Sequence, residues 1–149
     1  MIARFSGGVL VLAAMALAAL PAAAWFAATV PGGTLSVSGF SVAGMLWVLP
    51  VTSAGLALAG ISLLISVPEA RQEVARWAGP LAVISSLLAL GFALWAGIAS
   101  GAVLQVDGQQ VAGAVDAEIV RRPATWITPG VAMVSALVGL GVTVAAWRP

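Results

Sequence analysis

The run GPLAVISSLLALGFALWAGIA, Gly79 to Ala99, covers 21 positions without one charged residue. A helix rising about 1.5 Å per residue needs about 20 apolar residues to cross a hydrocarbon core about 30 Å thick, so this run is long enough to span a bilayer once. Working outward from it, three further stretches have the same character: Phe5 to Ala28, Val42 to Ile65 and Trp126 to Trp147. All six basic and five acidic side chains of the 149-residue chain fall outside these four stretches. The expected architecture is an all-α membrane protein, a four-transmembrane-helix bundle with a small extracytoplasmic β-hairpin cap. It forms a single membrane domain, 1–149, with outer segments 29–41 and 100–125 and an inner loop 66–78.

Composition narrows the chemistry. Charged residues make up 7% and hydrophobic residues 62%, with a mean hydropathy of +1.12. Soluble domains carry about 25% charged residues, so a water-soluble fold is excluded. The net charge of +1 gives no basic patch for nucleic acid. Without Cys there are no disulfides, thiolate nucleophiles or Cys-ligated clusters. Without His the commonest metal ligand and neutral-pH base is missing. No cofactor, metal or nucleic-acid partner is expected. Met1 to Ala24 has features of a signal peptide in Arg4 and Ala22-Ala23-Ala24, but the apolar stretch exceeds a normal signal core and is read as an uncleaved first span.

Arginine placement sets the orientation. Arg4, Arg71, Arg76 and Arg148 fall on one side, and Arg121 and Arg122 on the other. The majority side is expected to be cytoplasmic, which puts both termini inside the plasma membrane. The six Trp agree: Trp25, Trp47, Trp95 and Trp126 fall at outer span ends and Trp77 and Trp147 at inner ones, where indole rings favour the headgroup region. The inner loop, Val67 to Trp77, favours helix after Pro68 and pairs Glu73 with Arg76 at i, i+3. It is read as a helical hairpin at the headgroup surface. Docking of a cytoplasmic partner competes with a plain solvated turn for the same residues.

Lipid tails are as apolar as leucine, so spans associate where small residues let backbones approach. Three series at four-residue spacing are candidates for packing faces: Ala14, Ala18 and Ala22; Ser85, Ala89, Ala93 and Gly97; Ser135, Gly139 and Thr143. Pro50 is expected to kink the second span, with Thr52 and Ser53 available for the carbonyls it frees.

Outside the membrane, Thr34 to Ser38 alternates as a strand does, and Asp107-Gly108 between two β-favouring runs signals a type I′ hairpin. Pairing of that hairpin with Thr34 to Ser38 would stabilise both. Ala114 to Arg122 is expected to form about two helical turns stopped by Pro123. Asp107, Asp116, Glu118, Arg121 and Arg122 make up a charged outer cap. Asp116 and Glu118, two residues apart, point to different helix faces and have no nucleophile beside them, so no catalytic residue is assigned.

The chain resembles the actinobacterial tryptophan-associated transmembrane protein family through Ala-Ala-Trp25 closing span one, Leu35-Ser-Val-Ser-Gly-Phe-Ser-Val42 leading into Leu56-Ala-Leu-Ala-Gly60, a basic inner turn, and Trp126 opening span four. Its inner turn and C-terminal end are less basic than the family usually is. The resemblance implies a small four-span protein and no enzymatic activity. With no ionisable residue inside any span, the expected role is a non-catalytic accessory subunit or assembly factor of a larger bacterial respiratory or envelope complex, with the bilayer and other integral membrane subunits as partners. The alternative is binding or transport of a lipid or small apolar molecule in a cavity at the Pro50 kink, bordered by Trp47 and Trp95.

Overall fold

A computed structural model describes residues 2–30, 33–41, 45–98, 105–106, 109–110 and 118–148. Among them are four long helices: α1 (Ile2–Ala19), α2 (Met45–Ile65), α3 (Arg71–Ile98) and α4 (Ala124–Ala146). Each is long and apolar enough to cross a membrane. Helix α1 packs on α2, α2 on α3 and α3 on α4, while α4 returns more loosely to α1. Gly7 meets Gly60, and Gly79 meets Thr143. The start of α1 therefore lies beside the end of α2, and the start of α3 beside the end of α4. Neighbouring helices run antiparallel, and the bundle has a turn end, at residues 66–70, and an opposite end that carries a sheet.

Large apolar side chains such as Leu12, Trp47, Leu58, Leu88 and Leu137 point outward, whereas much of the interior is alanine, Ala59, Ala78, Ala82, Ala89 and Ala132 among them, packed with Leu10, Leu17, Leu49, Leu56 and Leu63. A water-soluble bundle does not display so many large apolar side chains on its surface. The distribution suits helices surrounded by lipid, where close backbone approach rather than bulk burial holds the spans together.

Three boundaries differ from expectation. The first apolar stretch does not continue as one helix to Ala28. Helix α1 stops at Ala19, a 3-10 turn covers Leu20–Ala22, and residues Ala24–Val30 form strand β1. Pro21 lacks an N–H and biases the preceding residue away from helix, and the segment beyond it can pair with β2 (Gly33–Ser38). An uninterrupted apolar run does not by itself distinguish strand from helix. At the turn end helix does follow Pro68, from Arg71, but it is not a separate surface element: most of the inner loop is the first two turns of the 28-residue α3. Finally, Glu118–Arg121 is strand β5 and not helix; its backbone completes a ladder along the free edge of β1, from Phe26↔Arg121 to Thr29↔Glu118. Residues 114–117 lie outside the described residues.

The sheet order is β2-β1-β5, antiparallel throughout. Strand β2 thus pairs with β1 and not with the hairpin. Strands β3 (Gln105–Val106) and β4 (Gln109–Gln110) form a separate antiparallel pair whose register leaves a two-residue connection. That connection, Asp107-Gly108, lies outside the described residues.

Candidate functional site

Trp25 ties the sheet to the bundle. A register shift between Ala24 and Phe26 inserts Trp25 into β1, and both Trp25 and Phe26 are completely buried. Bulges of this kind re-aim a side chain that strict alternation would turn the other way. The Trp25 indole N–H donates to the Leu20 carbonyl at 2.9 Å. The Trp25 carbonyl accepts from the Arg122 N–H at 2.8 Å and from the Thr125 hydroxyl at 2.8 Å, tying β1 to the start of α4. The interfacial ring expected at Trp25 is therefore corrected, since its N–H is satisfied inside the protein. Trp47, Trp77, Trp95, Trp126 and Trp147 are exposed. Arg76 lies 5.5 Å from the Trp147 ring centroid and Arg121 lies 5.8 Å from that of Trp126, geometry in which a guanidinium is attracted to the ring face. Trp95 packs against Phe92.

The cap residues are only partly placed. Glu118 and Arg121 are the ends of β5 and Arg122 follows it, while Asp107 and Asp116 lie outside the described residues. Among the described residues, no three His, Cys, Asp or Glu cluster as metal ligands would.

Of the small-residue series, those on α3 and α4 lie at crossings. Ser85, Ala89 and Ala93 are buried, as are Ser135 and Gly139, and Thr143 sits against Gly79. Gly97 is only partly covered, near Thr125. On α1 the expected face is wrong. Ala14 is buried, but Ala18 and Ala22 are exposed, and α1 turns Gly7, Leu10, Ala14 and Leu17 inward instead. The close contact there is Gly7 against Gly60, where a Cβ on either glycine would lie 2.8 Å from the other's carbonyl oxygen. A four-residue alanine count misses this pair because glycine permits the closest approach and so sets which face is turned in.

Several buried hydroxyls are hydrogen-bonded within the bundle. Ser135 Oγ lies 2.9 Å from the Val131 carbonyl and 3.0 Å from that of Ala132; Ser86 Oγ lies 2.7 Å from the Ala82 carbonyl and 3.0 Å from Ser135 Oγ. Each hydroxyl has one proton, so the Ser86–Ser135 bond across the α3–α4 interface forms when one of the two turns its proton from its own helix to the other's oxygen. A double-mutant cycle on Ser86→Ala and Ser135→Ala is expected to give a coupling of about 0.6 kcal/mol, the usual worth of such a bond between spans. No coupling in a denaturation series in detergent would remove the interhelical bond. On α2, Thr52 and Ser53 donate to the carbonyls of Leu49 and Pro50, and not to that of Leu46, the carbonyl Pro50 deprives of its usual donor.

Pro50 is exposed on α2, and neither of the two hollows beside α1 and α4 is lined by it. A pocket of about 720 Å³ opens at the turn end between α1, α3 and α4, with Ser6, Arg71 and Gln72 at its polar end and Val138, Gly141 and Val142 along its apolar wall. A second, separate hollow of about 480 Å³ lies between α1 and α4, lined by Val9, Leu12 and Ala13 on one side and Ile127, Gly130 and Val134 on the other. Arg71 holds the Ser66 carbonyl only at 3.5 Å, and its buried Nε has no partner among the described residues. Gln72 reaches the Ala146 carbonyl, also at 3.5 Å.

Together these features define a bundle of four helices, each long and apolar enough to cross a membrane, with a sheet at one end and hollows along the seam between α1 and α4. Compared with known proteins, the chain matches no family model, no curated protein and no solved structure.

Proposed function

We propose that this chain is a non-catalytic integral membrane subunit or assembly factor of a larger bacterial membrane complex. The observation that carries the reading is the bundle interior. Gly7–Gly60, Gly79–Thr143 and Gly139–Ala82 bring backbones into contact, and the hydroxyls between helices bond to carbonyls or to each other. Among the described residues, every charged side chain lies at one end of the bundle or the other. An interior filled in this way holds a shape and moves no ion or proton, because such pathways are built from intramembrane ionisable groups. The turn end bears Arg4, Arg71, Arg76 and Arg148 against Glu69 and Glu73, which supports a cytoplasmic placement of that end and of both termini in the plasma membrane. The resemblance to the tryptophan-associated family suits this role and brings no activity with it.

A C-terminally tagged chain extracted in mild detergent is expected to purify with at least one integral membrane partner in constant proportion across preparations. Recovery of the monomer alone would overturn the proposal.

A further inference from the structure

We propose that the seam between α1 and α4 is a binding site for one anionic phospholipid, its phosphate held by Arg71 and an acyl chain laid between the two helices. This goes beyond the accessory role and does not depend on it.

The first observation is the shape. The two hollows lie on one line: Ser6, Val9 and Ala13 follow one another along α1, and Ala146, Val142, Val138, Val134, Val131 and Ile127 follow along α4. From Ile127 to Ala146 an α-helix advances roughly 28 Å, more than an acyl chain needs to reach the middle of a bilayer about 30 Å thick.

Side-chain size keeps this line open. Gly130 and Gly141 both border it, and a Cβ added to either would meet no atom within 4 Å. Gly7, Gly60, Gly79 and Gly139, by contrast, stand at tight crossings. The glycines on the seam therefore leave volume unfilled where the others remove it.

The polarity is one-sided. Along the seam the walls are apolar, and at the turn end they become Ser6, Arg71 and Gln72. A guanidinium has five N–H donors. That of Arg71 makes one long contact and keeps a buried Nε without a partner among the described residues. Phosphate oxygens accept from Nε and Nη together, a geometry matched to that fork. Four Arg against two Glu at this end favour an anionic headgroup over a zwitterionic one. A transmembrane helix from a partner or a second copy would cover the apolar wall but leave the Arg71 donors unanswered.

The test is native mass spectrometry of the full chain, delipidated in detergent and offered dioleoylphosphatidylglycerol, dioleoylphosphatidylcholine or inorganic phosphate. Wild type is expected to retain one phosphatidylglycerol, with at least about tenfold preference over phosphatidylcholine. Arg71→Gln is expected to weaken phosphatidylglycerol retention about 10- to 100-fold, the worth of charge-assisted hydrogen bonds. Gly141→Leu fills the apolar wall without touching the fold and is expected to displace the lipid while helical content and melting temperature hold; if Arg71→Gln unfolds the chain, this variant decides. Equal retention of the two lipids, or retention unchanged in both variants, overturns the proposal. Displacement of phosphatidylglycerol by inorganic phosphate, with Gly141→Leu inert, would mark a free-anion site and overturn the lipid assignment. A dimer lost in Gly141→Leu while the lipid count stays fixed would assign the seam to a second copy, with the same consequence.

Discussion

Trp25→Ala is expected to destabilise the protein by about 3–5 kcal/mol, the range for emptying a large aromatic site in a packed core. The ring is completely buried, and its loss also removes one of the two donors to the Leu20 carbonyl, leaving only the Ala23 N–H at the point where α1 ends. Gly39 packs so closely on this indole that a Cβ there would lie 2.8 Å from Nε1 and 2.9 Å from the Pro21 backbone, so the start of the 3-10 turn Gly39–Ser41 is shaped around the same ring. Because the Trp25 carbonyl also receives Arg122 and Thr125, the strand, its neighbours and the head of α4 should loosen together. Denaturation in detergent followed by circular dichroism measures the effect. Trp47→Ala provides the comparison: that ring is 76% exposed, and its removal should cost about 0.5 kcal/mol or less. Similar losses from the two variants would show that Trp25 is not the fastening between sheet and bundle.

Gly60→Leu should be almost as damaging, at about 3 kcal/mol or more, the upper end for overpacking a close contact. Its Cβ would lie 2.8 Å from the Gly7 carbonyl oxygen, 2.9 Å from Val11 Cγ2 and 3.0 Å from the Val11 nitrogen. Two of these three atoms are backbone and cannot swing aside, so α1 must move off α2. Gly91→Ala is the opposite case. That glycine is exposed on α3 with open space around its Cβ position, and the change should stabilise by about 0.5–1 kcal/mol through helix propensity alone. A Gly60→Leu protein as stable as wild type would mean that α1 and α2 are not held at this crossing.

Much of the bundle was legible in the chain because a bilayer imposes a length and a polarity that hydropathy reports directly. The spans at α2, α3 and α4 lie where apolar runs free of charge place them. The α3 and α4 packing faces followed from Ser85, Ala89, Ala93, Ser135 and Gly139, since small residues at four-residue spacing fall on one side of a helix. The same count failed on α1, where Ala14, Ala18 and Ala22 form an equally regular series and two of the three face outward. Periodicity marks a face that is able to pack; only the partner helix, with Gly60 opposite Gly7, selects which face does.

The sheet shows the other limit. Ala24 to Ala28 is as apolar as the helix before it, and Glu118 to Arg121 carries charges that would suit a helical turn. Both became strand because each offers the other an unpaired edge across nearly a hundred residues of sequence, and a backbone donor or acceptor left unpaired is costly. The Arg71 pocket is of the same kind, since Ser6, Arg71 and Val142 meet only when three helices come together. The length and hydropathy of the four long helices among the described residues, and the ends at which their charges lie, could be read from the chain because they depend on local composition. Its strand partners, the inward face of α1, the burial of Trp25 and the open seam beside α4 were decided by tertiary structure, because each depends on a residue pair that chain order keeps far apart.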